Sequence, residues 1–418
     1  MKYFVLFLLI FVSSENIFAT TSAGVDIVTY QPLGFRVDNT DQGQRVRRLF
    51  DKIKSLGIDT LIFNFRGYMV TGISSDIASM IPQDSQHTEE ELITQTVQYA
   101  RTLGFHVAFR PILLVIGPHG EFPYTDETGM TWWHGVIRPE KPDEWFANYF
   151  LFHQRYLQLA AKLQVDWYSV GAEMHSMTSG LGSRTPDWKF GFPDKWVELI
   201  NKAREILGAK TQITYGINYT DQYVLEDNNR TWGGEFEQWH AFMTKTPQDD
   251  LEAKHQQAMR SLWQALDFIS IDFYRSLGSN SETYPDTFDE LVNRLVQSQS
   301  MYSSALDQVM AEMNQVSQSN KLLCAQEIGY RSAEKSFVFP YAYEGDGAKI
   351  NLLHQAAAWQ AFLQVFLASE KTGFLGFGTW QVLLDNDSDL DGNNDGFTPL
   401  GKPMTEKVFQ SFLIKSYQ

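Results

Sequence analysis

Disulfide chemistry is closed to this chain, because its 418 residues include a single cysteine, Cys324. Stability must come from a buried core instead, and 43% hydrophobic residues supply one. No His or other base lies near Cys324 in sequence, so it reads as a buried strand residue rather than a nucleophilic thiol. Long apolar runs are equally scarce. The one clear run, Phe4 to Val12, is too short to span a bilayer. With Lys2 before it and small residues at Ala19 and Ala23 after it, the run reads as a secretory leader that ends at 19 or as late as 23. A retained N-terminal anchor is the alternative. Cations are outnumbered, 34 against 50 anions, for a net charge of −16. Loss of the leader removes one of each sign, Lys2 and Glu15, and leaves that balance unchanged. Such an acidic surface argues against nucleic acid or anionic lipid as the main partner. With the leader gone, no membrane attachment is expected, and the expected location is secreted or periplasmic.

A Pro/Ser-rich linker is also missing, which favours one unit over 24–418. Within it, short β-rich runs at 26–30, 60–66, 106–115, 166–172, 211–219, 268–274, 322–326 and 374–380 alternate with helical patterns. The clearest helix is "DEWFANYFLFHQRYLQLAAKLQ", where Trp145, Tyr149, Tyr156, Ala160 and Leu163 recur at helical spacing. Others are predicted at 43–56, 89–103, 194–207, 284–298, 351–369 and 403–414, with one more somewhere in 233–266. Eight alternations, with strands too apolar to have one wet face, predict an α/β fold, a (β/α)8 TIM barrel. An open doubly wound sheet is the alternative, but the first strand leads into "YQPLGFRVDN" with no glycine-rich phosphate loop. Surplus residues at 116–142, 174–193, 220–250, 331–350 and 381–402 all follow strands, the side where barrels of this kind place their sites.

Two of the strands end on a carboxylate. "VDWYSVGAEMHSM" carries Glu173 at the end of the fourth, and "KLLCAQEIGYRS" carries Glu327 at the end of the seventh. In a barrel all strands point one way, so these ends meet across the mouth. Alternation places Gly171 and Ala325 on the same face as each Glu, small enough to leave the upper barrel open. Two carboxyl groups flanking a sugar can split a glycosidic bond, with retention or inversion set by their separation. The competing reading is that each Glu caps a helix or pairs with an arginine such as Arg66 or Arg331.

These strand ends, with "FISIDFY" at 268–274, "GFGTWQ" at 376–381 and the closing "FTPLGKPMTEKVFQSF", resemble clan A glycoside hydrolases, most of all family 113, the β-mannanases. The resemblance covers essentially the whole chain after the leader. It implies an endo-β-mannanase-like retaining hydrolase of β-1,4-mannan, with Glu173 as acid/base and Glu327 as nucleophile. Tyr274 would support the nucleophile, and Trp380 would form the floor under the sugar. It implies no cofactor for catalysis. A β-glucanase or xylanase of the clan, or a silent carbohydrate-binding barrel, are the other readings. One departure is Ala172, where many clan members carry Asn before the acid/base, and it bears on manno versus gluco preference.

A polysaccharide or oligosaccharide partner also suits the aromatic loops, since sugar rings present apolar faces. Tyr124, Trp132, Trp133, Trp188, Tyr219, Trp232 and Trp239 are the candidates, each with packing as its plainer explanation. Among polar strand-end residues, Asn218 and Asp272 stand out, and Arg66 or Arg110 could keep the nucleophile ionised. His119, His134 and His175 fall near the expected mouth without metal-ligand spacing, so zinc is not expected. "DNDSDLDGNNDG" at 385–396 places Asp387, Asp389 and Asp391 as in the first half of a calcium loop. Its twelfth position is Thr398, counted from Asp387, so a structural calcium ion there competes with a plain acidic turn.

Overall fold

Eight parallel strands close into a barrel, each paired with its sequence neighbours and the last with the first. They are β1 (Ser22–Val28), β2 (Thr60–Phe63), β3 (His106–Phe109), β4 (Trp167–Ala172), β5 (Gln212–Thr220), β6 (Ile269–Tyr274), β7 (Leu323–Ile328) and β8 (Phe374–Leu383). Around them run α1 (Asp41–Ser55), α2 (Glu89–Thr102), α3 (Pro142–Leu163), α4 (Pro193–Leu207), α5 (Glu235–Thr244), α6 (Asp250–Ala265), α7 (Phe288–Val316), α8 (Leu352–Phe366) and α9 (Pro403–Leu413). The structure is a computed structural model that describes residues 21–31, 33–79, 87–182, 185–221, 224–225, 230–231, 234–343, 347–367, 371–385, 390, 392 and 394–414. The leader, Trp232 and the acidic Asp387, Asp389 and Asp391 lie outside the described residues.

The expected TIM barrel is thus the observed one, and its element bounds differ where local chemistry intervenes. The run 106–115 divides into β3 and a separate strand, Ile112–Val115, because Pro111 has no N–H to continue the ladder. The break turns Arg110 into the barrel. The helix sought in 233–266 is two helices: Pro247 lies between them, and Asp249 restarts the second by accepting from the Glu252 amide at 2.8 Å. The helix placed at 284–298 runs on to Val316 as α7, where Leu306, Met310 and Met313 keep its inner face apolar through a stretch otherwise rich in Ser and Gln.

Two cores hold the barrel. The larger lies between strands and helices, where Trp359, Phe362 and Phe366 of α8 are buried against Phe273 of β6 and Phe377 of β8. Burial of each such ring contributes roughly 1.5–3 kcal/mol. The smaller core comprises Ile62, Ala108, Trp167 and Phe268 with Cys324 and Leu375, drawn mostly from early strand positions. It plugs the barrel from below. Above it, glycines keep the interior open: a Cβ on Gly216 would lie 2.0 Å from the Gln326 amide, and one on Gly378 would lie 2.2 Å from the Gln326 carbonyl.

Candidate active site

The carboxylates reach the mouth by a route that simple alternation misses. A Cβ on Gly171 would meet Trp196 and the Tyr149 hydroxyl in the helix layer, so Gly171 faces outward. Ala325 pairs with the outward Phe377. Glu173 nevertheless points inward because it adopts φ +53°, a left-handed turn directly after β4. Glu327 does so at a register shift between Ala325 and Ile328. Pairing then aligns Asn218 with Asp272 and Asp272 with Glu327 at one level across β5, β6 and β7.

Glu327 is gripped from two sides. Tyr274 Oη donates to its Oε1 at 2.7 Å, and Arg110 Nη2 donates to its Oε2. Arg110 is itself buried, 2% exposed, and also donates to Asp272 Oδ2 at 3.1 Å and Asn64 Oδ1 at 3.1 Å. Its Nη1 lies 3.5 Å from Asp26 Oδ1, and its guanidinium 5.7 Å from the centre of the Trp380 ring. One cation therefore faces three acids. Burial pushes Asp26 up to about 7 and Asp272 well above the usual carboxylate range, against the pull of Arg110 in both cases. Burial also raises Glu327; Arg110 opposes it, and the charge on Glu173 adds to the rise. The three acids hold Arg110 firmly in its charged form against burial.

Glu173 has a different shell. Asn218 Nδ2 donates to its Oε1, and His134 Nε2 lies 3.5 Å from its Oε2. Burial works to raise this carboxyl, but His134 and then Asn218 outweigh it and hold the group below its ordinary value. Behind Asn218 stands a residue the sequence reading missed. Glu235, wholly buried at the start of α5, accepts from the Asn218 amide at 3.0 Å, the Tyr215 hydroxyl at 2.9 Å and the Thr178 hydroxyl. Tyr215 in turn accepts from the Met174 amide. Glu235 thus braces both the turn that carries Glu173 and the strand that carries Asn218.

Of the residues singled out from sequence, Glu173, Glu327, Tyr274, Arg110, Asn218, Asp272 and Trp380 come together here. Trp133 sits at the edge, its ring 5.1 Å from His134 and 5.7 Å from His175. Tyr219 does not join them. Its neighbour Asn218 points inward, so Tyr219 points out, 5% exposed among Phe236, Phe273 and Tyr302. Arg66 does not reach Glu327; it stacks on the Tyr30 ring at 3.7 Å and lines a side cavity with Tyr68 and Glu89. Trp239 is core, stacked on Tyr215. His175 is buried, and burial lowers it to about 4, so it is neutral. Among the described residues no group of three His, Cys, Asp or Glu side chains is placed to hold a metal ion.

The sequence model of Glycoside Hydrolase Family 113 matches residues 28–234, a span that contains Arg110, Glu173 and Asn218. Over that span the chain is most like family 113 of the clan A glycoside hydrolases. Solved structures share this hydrolase's fold. The family 113 β-mannanase AaManA from Alicyclobacillus acidocaldarius, in complex with ManMIm, is 18% identical with a TM-score of 0.62, over 95% of this chain and 99% of its own. A second family 113 β-1,4-mannanase is 19% identical with a TM-score of 0.57, over 94% and 99%. The endo-β-1,4-mannanase from Thermotoga petrophila is 11% identical with a TM-score of 0.50, over 95% and 78%. None of the curated proteins matches the sequence.

Proposed function

We propose that this retaining glycoside hydrolase cleaves β-1,4-linked mannan or mannooligosaccharides by double displacement, with Glu327 as nucleophile and Glu173 as acid/base. The observation that carries the roles is the contrast between the two shells. Glu327 meets a fixed cation and a phenol, groups that stabilise an anion next to a developing positive charge at the sugar. Glu173 meets an amide and an imidazole, and 18% of its side chain remains open to solvent, as suits a group that passes a proton to a leaving oxygen and then takes one from water.

In the first step the Glu327 carboxylate attacks the anomeric carbon while Glu173 protonates the glycosidic oxygen, and the aglycone leaves. In the second, Glu173 removes a proton from water, which attacks the same carbon and frees Glu327. Trp380 forms the floor for the reacting ring. The names of the family 113 neighbours support mannan as the substrate, and the leader read from the sequence supports work outside the cytoplasm. Glu327→Ala and Glu173→Ala should each lower kcat on β-1,4-mannohexaose by several orders of magnitude with the melting temperature kept. Near-wild-type turnover in either refutes the roles, and faster cleavage of β-1,4-glucan or xylan oligosaccharides refutes the specificity.

A further inference from the structure

The run "NFRGY" carries a polar or phenolic side chain at every second position, Asn64, Arg66 and Tyr68. Past the end of β2 it forms a short strand, Arg66–Met69, that pairs in parallel with Ile112–Val115 and continues the barrel wall outward. A Cβ on Gly67 would meet Phe152 of α3, so Gly67 faces the helices. Arg66 and Tyr68 therefore face the opposite way, as Asn64 does. They line the side cavity together with Tyr30, Asn64 and Glu89. Asn64 belongs to this cavity and to the catalytic cluster alike: its side chain donates to Asp26 at 2.8 Å and accepts from Arg110 at 3.1 Å, and Arg110 donates to Glu327. The cavity thus shares a wall with the support of the nucleophile.

Its other rim is tied to the strand that carries Trp380. The Thr29 hydroxyl and the Tyr30 amide both donate to the Asp385 carboxylate, just past β8, and the Leu384 amide donates to the Val28 carbonyl at 2.8 Å. Within the cavity the polar groups are of two kinds. Glu89 is already engaged, paired with Arg155. Arg66 is not: among the described residues its guanidinium has no hydrogen-bond or ion-pair partner, and it lies over the face of the Tyr30 ring at 3.7 Å. An arginine beside a carboxylate would ordinarily pair with it. Here a cation–π contact holds the side chain and leaves its N–H donors open. The hydroxyls of Tyr30 and Tyr68 likewise have no hydrogen-bond partner among the described residues.

We infer that Tyr30, Arg66 and Tyr68 form a subsite for the sugar ring next to the reacting one, on the non-reducing side of the bond that is cut. This subsite rests on the glycosidase reading above. Glu173 protonates the leaving oxygen from the end of β4, and β8 and β1 lie across the mouth from β4. A cavity between the ends of β1 and β2 therefore receives the part of the chain that stays with Glu327. A sugar ring carries hydroxyls around its edge, and a rigid guanidinium fork with two phenols supplies donors and acceptors for them. Such a grip beyond the reacting ring favours linkages within a β-1,4 chain over single terminal residues.

The test uses 4-nitrophenyl β-mannoside, which fills only the reacting position, and the 4-nitrophenyl glycoside of β-1,4-mannobiose, which adds the neighbouring ring. Release of nitrophenol gives kcat/KM for each. Wild type should favour the bioside, and the ratio of bioside to mannoside should fall about tenfold to a hundredfold in Arg66→Met, which loses the charged donors and keeps an apolar stem against Tyr30. Tyr68→Phe loses only a hydroxyl and should lower the same ratio about threefold to tenfold; if Arg66→Met does not fold, this variant decides. Should glucosides be cut in place of mannosides, the glucoside and cellobioside pair gives the ratio. A wild type without preference for the bioside, or a preference that Arg66→Met keeps even as both rates fall, overturns the subsite and leaves the catalytic pair standing. No nitrophenol from any of these glycosides overturns the subsite together with the function it rests on.

Discussion

Replacing Tyr274 by phenylalanine removes one oxygen atom and keeps the ring, which lies 6% exposed with its edge toward Phe397. The lost group is the hydroxyl that donates to Glu327 Oε1 at 2.7 Å. A hydrogen bond to a charged partner is worth roughly 1.5–3 kcal/mol. Only the ionised carboxylate profits from this donor, so its loss raises the Glu327 carboxyl above the position that burial already gives it. At 1.36 kcal/mol per unit, the rise is about 1–2 pH units. Glu327 must be ionised to attack, so the acidic limb of kcat/KM should move to higher pH by that amount. Below the limb the rate should fall roughly tenfold to a hundredfold. The assay is kcat/KM on mannohexaose against pH, with the melting temperature recorded at each point. An unmoved acidic limb with a wild-type rate would show that Tyr274 does not support the nucleophile, and the roles assigned to the two carboxylates would lose their main physical warrant.

His134→Phe removes the ring that does most to hold Glu173 low, so the Glu173 carboxyl should rise and stay protonated at higher pH. The basic limb of kcat/KM then shifts upward, and a limb that stays put or moves down contradicts His134 as the tuning group. Burial raises Glu235 from its usual 4.5 to about 7, so the folded chain keeps a proton that the unfolded chain has released. Its contribution to stability therefore falls as pH rises from about 4.5 to about 7. In Glu235→Gln that decline should vanish, seen as a difference in melting temperature from wild type that shrinks across the same window.

The barrel was legible because its signal is repetitive. Eight apolar runs separated by helical stretches leave little choice of topology once a parallel sheet is granted. The strand-end acids were legible for a related reason: a carboxylate at the end of a buried run has a cost that packing alone does not offset. That same signal lay in "VDIV" and "IFNFR", where Asp26 and Asn64 interrupt apolar strands, and it marks two of the groups around Arg110. Tyr219 was misplaced although the alternation was available, since an inward Asn218 forces its neighbour out. Alternation failed at Glu173 and Glu327 themselves, because a left-handed residue and a register shift each turn a side chain to the other face, and neither leaves a mark in sequence. Glu235 was hidden for another reason. Its partners Tyr215, Thr178 and Asn218 belong to two other segments of the chain, and only the closed barrel brings them together.

The site also places its protons against the simplest form of the mechanism. The proposed double displacement asks for an ionised Glu327 and a protonated Glu173, whereas the surrounding residues raise the former and lower the latter. The reason is charge supply. Arg110 offers one positive charge to three buried acids, and burial raises Asp26 and Asp272, which favours their neutral forms and leaves more of that charge for Glu327. At Glu173 the opposing influence is His134, near enough to stabilise an anion yet not locked to it by a hydrogen bond. A bound sugar acts on both sides at once. In the proposed mechanism, sugar hydroxyls that donate to the Glu327 carboxylate would lower it, and an aglycone that covers the solvent-facing part of Glu173 would raise it, as burial does for any carboxyl. Substrate binding would thereby move the pair toward the protonation that the first step needs. The His134→Phe variant reads this balance directly: with the imidazole gone, burial is opposed mainly by Asn218, and the Glu173 carboxyl should move toward its protonated form.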